Sequence, residues 1–404
     1  MPELTDTMAI NPPRPGRASR RHFLKLLGGG AAAAALFASG RKGFMPVAAQ
    51  SVSLESMIGQ MLMVGFRGLE VHGDSPIIQD IRDRHLGGVV LFDYDVPTQS
   101  PVRNIQSPDQ VKALIQSLQA AAAVPLLISI DEEGGKVRRL KPEFGFPPAV
   151  SAECLGKRND LDRTRQQAST IARTLAELGI NLNLAPVVDL NTNPDNPVIG
   201  KLDRSFSADP AIVASHALAF IQAHHEQGVL CTLKHFPGHG SSTSDSHGGF
   251  VDVTDSWSSV EVEPYRRIME AGQADAIMTA HVFNAKLDPQ YPATLSKPTI
   301  TGLLRGEMKY DGVVICDDLQ MGAIADHYGF DVAIHGAIEA GADIIMIANN
   351  STYEEQAAAR AVALIRQVVE DGTISKDRIA QSYQRIQRLK QKLRAGSLQA
   401  DYRG

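Results

Sequence analysis

Residues 182–188 (LNLAPVV), 210–227 (PAIVASHALAFIQAHHEQ) and 230–233 (LCTL) decide the fold, because together they form one strand–helix–strand unit. The two short runs are apolar without alternation, as parallel strands are when both faces are covered. The segment between them has helical character and stops at Gly228, a residue suited to ending a helix. The same alternation continues on either side. Apolar runs at 61–66, 88–92 and 126–130 precede the unit, and runs at 276–279, 313–316 and 344–347 follow it. Helical stretches separate them at 108–123, 161–178, 298–309 and 353–369. Val111, Leu114, Ile115 and Leu118 share one face of the first, and Gly179 closes the second. Eight strand candidates alternating with helices predict an α/β fold, a (β/α)8 TIM-type barrel, as a single domain over residues 50–404. A doubly wound open sheet is the alternative. A last helix over 376–394 is expected to pack on the outside.

The composition narrows the function. The chain has 404 residues, 43% hydrophobic and 21% charged, which is ordinary for a soluble globular protein. The net charge is −5 and the body has no lysine/arginine block, so a nucleic-acid partner is not expected. Aromatics are 5% of the chain, with Trp257 the single tryptophan, which favours a small closed pocket over a long aromatic-paved groove. Cys154, Cys231 and Cys316 are odd in number and fit no zinc spacing; they read as small buried hydrophobes.

Residues 1–49 read as an address rather than as structure. Residues 19–25 (SRRHFLK) have the form of a twin-arginine export signal. The apolar stretch 26–37 is short for a membrane span, which needs roughly 20 apolar residues. Val47, Ala48 and Ala49 suit cleavage before Gln50. The expectation is a periplasmic or secreted protein with no stable membrane anchor after cleavage; an uncleaved anchor is the alternative.

Polar residues gather where strands end, the face on which barrel chemistry sits. The third run enters Asp131, Glu132 and Glu133, then Lys136 and Arg139; the fourth enters Asp189 and a loop with Asp203, Arg204 and Ser205. The fifth ends in Lys234 and His235, the sixth in His281, the seventh in Asp317 and Asp318. Charged groups are rarely buried unpaired, so this clustering suggests one shared polar pocket. The loop 234–247 (KHFPGHGSSTSDSH) is rich in glycine and small polar residues and cannot pack a core of its own. Asp245 can hold one imidazole nitrogen of His247 and leave the other facing a substrate, which makes a general acid/base dyad. His247 as a surface loop histidine is the plain alternative. A zinc or manganese site from His235, His239, Asp245 and His247 is another, opposed by the charge of Lys234.

The motifs KHFPGHG at 234–240, DSH at 245–247 and CDDLQM at 316–321 resemble glycoside hydrolase family 3, in its bacterial β-N-acetylglucosaminidase (β-N-acetylhexosaminidase) branch. IDEEGG at 130–135, LAPVVDL at 184–190, DRSF at 203–206 and DAIMTAHV at 275–282 support the resemblance. It implies Asp317 as nucleophile, His247 assisted by Asp245 as acid/base, and Asp131, Arg139, Arg204, Lys234 and His235 as sugar-contacting residues. Asp318 then shapes the site. It further implies a retaining exo-enzyme on small GlcNAc-containing carbohydrates, from cell-wall fragments or chitin oligosaccharides, with no cofactor and no metal. A monomer is the simplest expectation. Lys136 departs from the arginine frequent at its position, and the loop 200–204 is longer than in the shortest relatives. A family β-glucosidase and a non-catalytic exported sugar-binding protein are the rival readings, and phosphorolysis is a conceivable variant of the reaction.

Overall fold

Eight parallel strands form one sheet: β1 Leu62–Gly65, β2 Gly88–Leu91, β3 Leu127–Ile130, β4 Leu182–Asn183, β5 Leu230–Phe236, β6 Ala276–Thr279, β7 Val313–Ile315 and β8 Ile345–Ile347. The computed structural model describes residues 52–246 and 248–401. Neighbours run in chain order from β1 to β7, β8 pairs with β1, and a parallel bridge from Ile315 to Ile344 brings the two ends together. The sheet is therefore a barrel, as the eight apolar runs predict, and the open-sheet alternative falls. The expected export signal at 1–49 lies outside the described residues, as does His247.

A main helix follows each strand in turn: Pro76–Asp83, Pro108–Ala121, Leu161–Leu178, Pro210–His225, Glu263–Glu270, Pro298–Glu307, Phe330–Ala340 and Ala357–Glu370, with short extra helices at Ala152–Arg158 after β3 and Gly322–Tyr328 after β7. Local chemistry sets their ends. Ser107, Asp160 and Asp209 accept amide hydrogen bonds from the first turns of their helices, and Pro108 and Pro210 occupy first-turn positions where no donor is missed. Gly179, at φ 89°, stops the third helix. The strands are buried along their length, and their apolar side chains join the inner faces of the helices in one large core.

Two strands differ from their sequence reading. The run 182–188 keeps ladder pairing over Leu182–Asn183 and again as a bridge from Val187 to Lys234, because Pro186 has no amide to give. Strand β5 extends past Leu233 through Lys234 and His235 to Phe236, all buried. Polarity marked a strand end where the chain in fact continues into the site.

The helix Lys376–Asp401 crosses the barrel floor. Arg378 and Arg385 reach the buried carboxylate of Asp343, just ahead of β8, and Lys392 reaches that of Asp275, just ahead of β6. Lys390 is buried beside them with Nζ 2.8 Å from both Gln60 Oε1 and Gly87 O, and burial pushes its pKa down to about 7. Above its ordinary value of 10.5 the amine is neutral in folded and unfolded chains alike. Below that the unfolded chain binds the proton first, so the cost to stability grows as pH falls toward 7 and is flat below. Lys390→Met is therefore expected to stabilise the protein at pH 7 by about 1–2 kcal/mol. Both acceptors keep a donor, Gln387 Nε2 for Gln60 and Leu127 N for Gly87. Urea unfolding of both proteins at pH 7 and pH 10 checks this, the gap narrowing at the higher pH.

Candidate active site

Where β3 ends, the chain continues as Asp131, Glu132 and Glu133. Alternation along extended backbone sends the first and third side chains one way and the second the other. Glu132 turns into the hairpin of Glu132–Gly134 with Val137–Arg138, where it accepts from the amides of Arg139 and Leu140. Asp131 and Glu133 turn toward Lys234 on β5, whose Nζ lies 2.7 Å from each. Arg139 closes one end of this array with Nη2 3.1 Å from Asp131. Arg204, from the loop after β4, closes the other with two hydrogen bonds of 2.8 Å to Glu133. Burial alone would raise both carboxylates. The Lys234 and Arg139 cations hold Asp131 below the usual carboxylate range, and Arg204 with Lys234 brings Glu133 down to about 2. The same pairing raises the Arg204 guanidinium. The array is ionised at every working pH.

Beside it, His235 Nδ1 lies 2.7 Å from Asp189, which also accepts from the amides of His235 and His239. Asp189 is fully buried; His235 outweighs that burial and holds its carboxyl low. With Nδ1 committed to Asp189, Nε2 of His235 is left toward Arg204, 3.4 Å away.

The loop after β5 begins with a tight stem. Gly238 has φ +125°, and a Cβ there would meet Glu261 at 2.6 Å. Glu261, pushed up to about 7 by burial, accepts from Gly240 N. His239 is held neutral, its pKa near 4, by burial and then by the neighbouring His235. Its ring contacts Ser242 Oγ at 2.7 Å and Ser246 Oγ at 3.4 Å. The loop is thus stiffened from within, and it brings Asp245 and Ser246 to the wall of the cavity.

Asp317 enters the same cavity from the end of β7, its Oδ1 accepting from the amide of Asp318. Asp318 also lines the cavity but is tied to the backbone: its Oδ1 accepts from Gln320 N and Ala348 N, and His281 hydrogen-bonds its carbonyl. The cavity measures about 550 Å³, room for a small sugar, and Asp131, Arg139, Arg204, Lys234, His235, Asp245 and Asp317 all line it. Seven of the eight site residues expected from the sequence therefore converge; the eighth, His247, is not among the described residues. Glu133 and Asp189 were noticed in the motifs but not assigned, and they are the anchors of Lys234, Arg204 and His235. Met278, Met321 and Met346 also line the cavity, with no signal in their spacing to announce it. The metal arrangement considered above needs His247; among the described residues no group of three or more His, Cys, Asp or Glu is placed to hold a metal ion.

Residues 53–389 match the family model described as glycosyl hydrolase family 3 N terminal domain. The chain belongs to this family. Beta-hexosaminidase of Tolumonas auensis is 36% identical over 292 residues, covering 72% of this chain and 83% of that protein. Beta-hexosaminidase A of Pseudoalteromonas piscicida is 34% identical over 381 residues, covering 85% of this chain. Among solved structures, a glycoside hydrolase family 3 beta-N-acetylglucosaminidase from Paenibacillus superposes with a TM-score of 0.77 at 38% identity over 85% of this chain. The beta-N-acetylhexosaminidase of Beutenbergia cavernae gives 0.74 at 30% identity, covering 84% of this chain and 99% of that one. The chain spans 62% of the length of the Pseudoalteromonas protein and 63% of the Paenibacillus one. The family 3 barrel is the part they share.

Proposed function

We propose that the protein is a retaining exo-β-N-acetylglucosaminidase, exported by the twin-arginine route, that removes terminal β-linked GlcNAc from cell-wall fragments or chitin oligosaccharides. The observation that carries the reading is the meeting of Asp317 and Asp245 in one sugar-sized cavity whose wall is the Asp131–Lys234–Glu133–Arg204 array. The names of the relatives support the same activity. In this reading Asp317 attacks the anomeric carbon while protonated His247, steadied by Asp245, gives its proton to the departing oxygen. The covalent glycosyl–Asp317 ester is then opened by water that neutral His247 deprotonates. Asp131 accepts from sugar hydroxyls, Arg139 and Lys234 donate to them, and His235 presents its remaining ring nitrogen, Nε2; the buried Nε of Arg139 has no acceptor among the described residues. A cell-wall substrate fits the proposed export, which puts the enzyme on the side where such fragments arise.

His247→Ala tests the acid role. The value of kcat/KM reports the glycosylation step, in which protonation matters only for poor leaving groups. It is expected to fall about 10²- to 10⁴-fold on chitobiose and little on 2,4-dinitrophenyl GlcNAc. Equal losses on both sink the assignment. A preference for p-nitrophenyl glucose over p-nitrophenyl GlcNAc in the parent protein sinks the substrate class.

A further inference from the structure

The loop that carries Asp245 is fastened to the short helix Gly322–Tyr328 at two points. The Ser246 carbonyl accepts from Ala323 N at 3.1 Å. Further on, the Phe250 ring meets the His327 ring edge-on, with centroids 5.8 Å apart and planes at 66°, and leans on Phe283 at 5.3 Å. Ala323 and His327 are one helical turn apart and so lie on the same face. This helix is the continuation of the strand that delivers Asp317, reached through the turn at Asp318 and Met321. One continuous segment therefore touches both the loop and the nucleophile's own strand end. Between the two fastenings the backbone is permissive: Gly249 has φ +145° and open space where a Cβ would be. Phe250 itself is 45% exposed, too much for a ring whose purpose is core packing. The ribbon of Val251–Asp252 with Val282–Phe283 begins immediately after it, so the ring sits where the loop rejoins regular structure.

We propose that Phe250 and His327 are positioning residues: their ring contact registers the Asp245 loop on helix Gly322–Tyr328 and so sets the distance between the proton-transfer group and Asp317. Neither residue touches the reacting atoms. The inference rests on the function proposed above, in which the loop delivers the acid. Proton transfer from a positioned group is steep in distance, and a misplacement of about 1 Å can cost on the order of 10²-fold. Removing the ring then weakens leaving-group protonation without removing any group that binds the sugar.

The test compares Phe250→Ala, His327→Ala and Phe250→Tyr with the parent on chitobiose and on 2,4-dinitrophenyl GlcNAc. Both alanine variants are expected to lose about tenfold or more in kcat/KM on chitobiose and to keep the activated substrate, with the thermal midpoint unchanged. Phe250→Tyr, which keeps the ring, restores chitobiose cleavage. Equal losses on both substrates, or none on either, overturn the proposal. If one alanine variant fails to fold, the other carries the same comparison from the opposite side of the contact. His247→Ala is run alongside. If it shows no leaving-group dependence, the acid assignment fails; if it does and the ring variants do not, only the positioning role fails.

Discussion

Asp317→Ala is expected to lower kcat/KM on every GlcNAc substrate, activated or not, by roughly 10⁴-fold or more, while the protein folds as before. The size follows from what the residue is asked to do. A nucleophile is needed whatever the leaving group, unlike an acid, so an activated substrate offers no escape. Its neighbour is a poor substitute, because Oδ1 of Asp318 is held by the amides of Gln320 and Ala348. Two measurements separate the nucleophile from other causes of inactivity. A slow fluorinated GlcNAc donor should leave its label on the peptide containing Asp317, read by mass spectrometry. Azide should then rescue Asp317→Ala by entering the space of the missing carboxylate, giving the α-glycosyl azide from a β-substrate. With His247→Ala, azide attacks the covalent intermediate instead and gives the β-azide. A label on Asp318, or the β-azide from Asp317→Ala, rules out the proposed nucleophile.

The barrel was legible because its signal is local. Eight apolar runs interspersed with helical stretches announce a buried parallel sheet from pattern alone, and all eight are strands, although the helices Pro76–Asp83, Glu263–Glu270 and Phe330–Ala340 were not among the stretches read. The departures come from physics that a local reading lacks. Strand β5 was ended at Leu233 because lysine and histidine look like solvent. Lys234 stays buried because Asp131 and Glu133, about a hundred positions earlier, meet it there. For the same reason the anchoring roles of Glu133 and Asp189 were not assigned. Each matters only through a cation delivered by another strand. The helix Gly322–Tyr328 was not predicted, since its seven residues are too few for an apolar period to show. Nor was the contact of Phe250 with His327, which joins a loop to a short helix far apart in the chain. Asp317 and Asp318 were distinguished through family resemblance; in the structure both line the cavity, and Asp318 Oδ1 is in addition held by the amides of Gln320 and Ala348.

Lys234→Met carries the second large effect, and it acts on stability as well as activity. The ammonium is 2% exposed and lies 2.7 Å from two carboxylates. Removing one partner from a buried ion group leaves uncompensated charge, at a cost of about 3–5 kcal/mol. Activity on GlcNAc substrates falls with it, as the proposed sugar contact is lost. Lys234→Arg is not expected to restore either, because a planar guanidinium does not fit a slot built around a compact ammonium. The pH dependence follows from the direction of the shifts. Glu133 is lowered from 4.5 to about 2, and Asp131 is lowered as well. Because their folded values are depressed, the stability they contribute is complete above about pH 4.5 and is lost as pH falls from there toward 2. Without Lys234 both carboxylates lose a major opposing charge and their folded values rise, so less of the variant's stability is lost on acidification, and the gap between parent and variant should narrow as pH falls from about 4.5 toward 2, read by urea unfolding across the titration. The double variant Lys234→Met/Glu133→Gln sharpens the argument. Neutralising one carboxylate should recover part of the lost stability in urea unfolding and none of the activity. A group whose loss can be offset for folding but not for turnover is kept for the ligand. The cavity's ionic wall is then a costly arrangement that the fold tolerates because the sugar requires it.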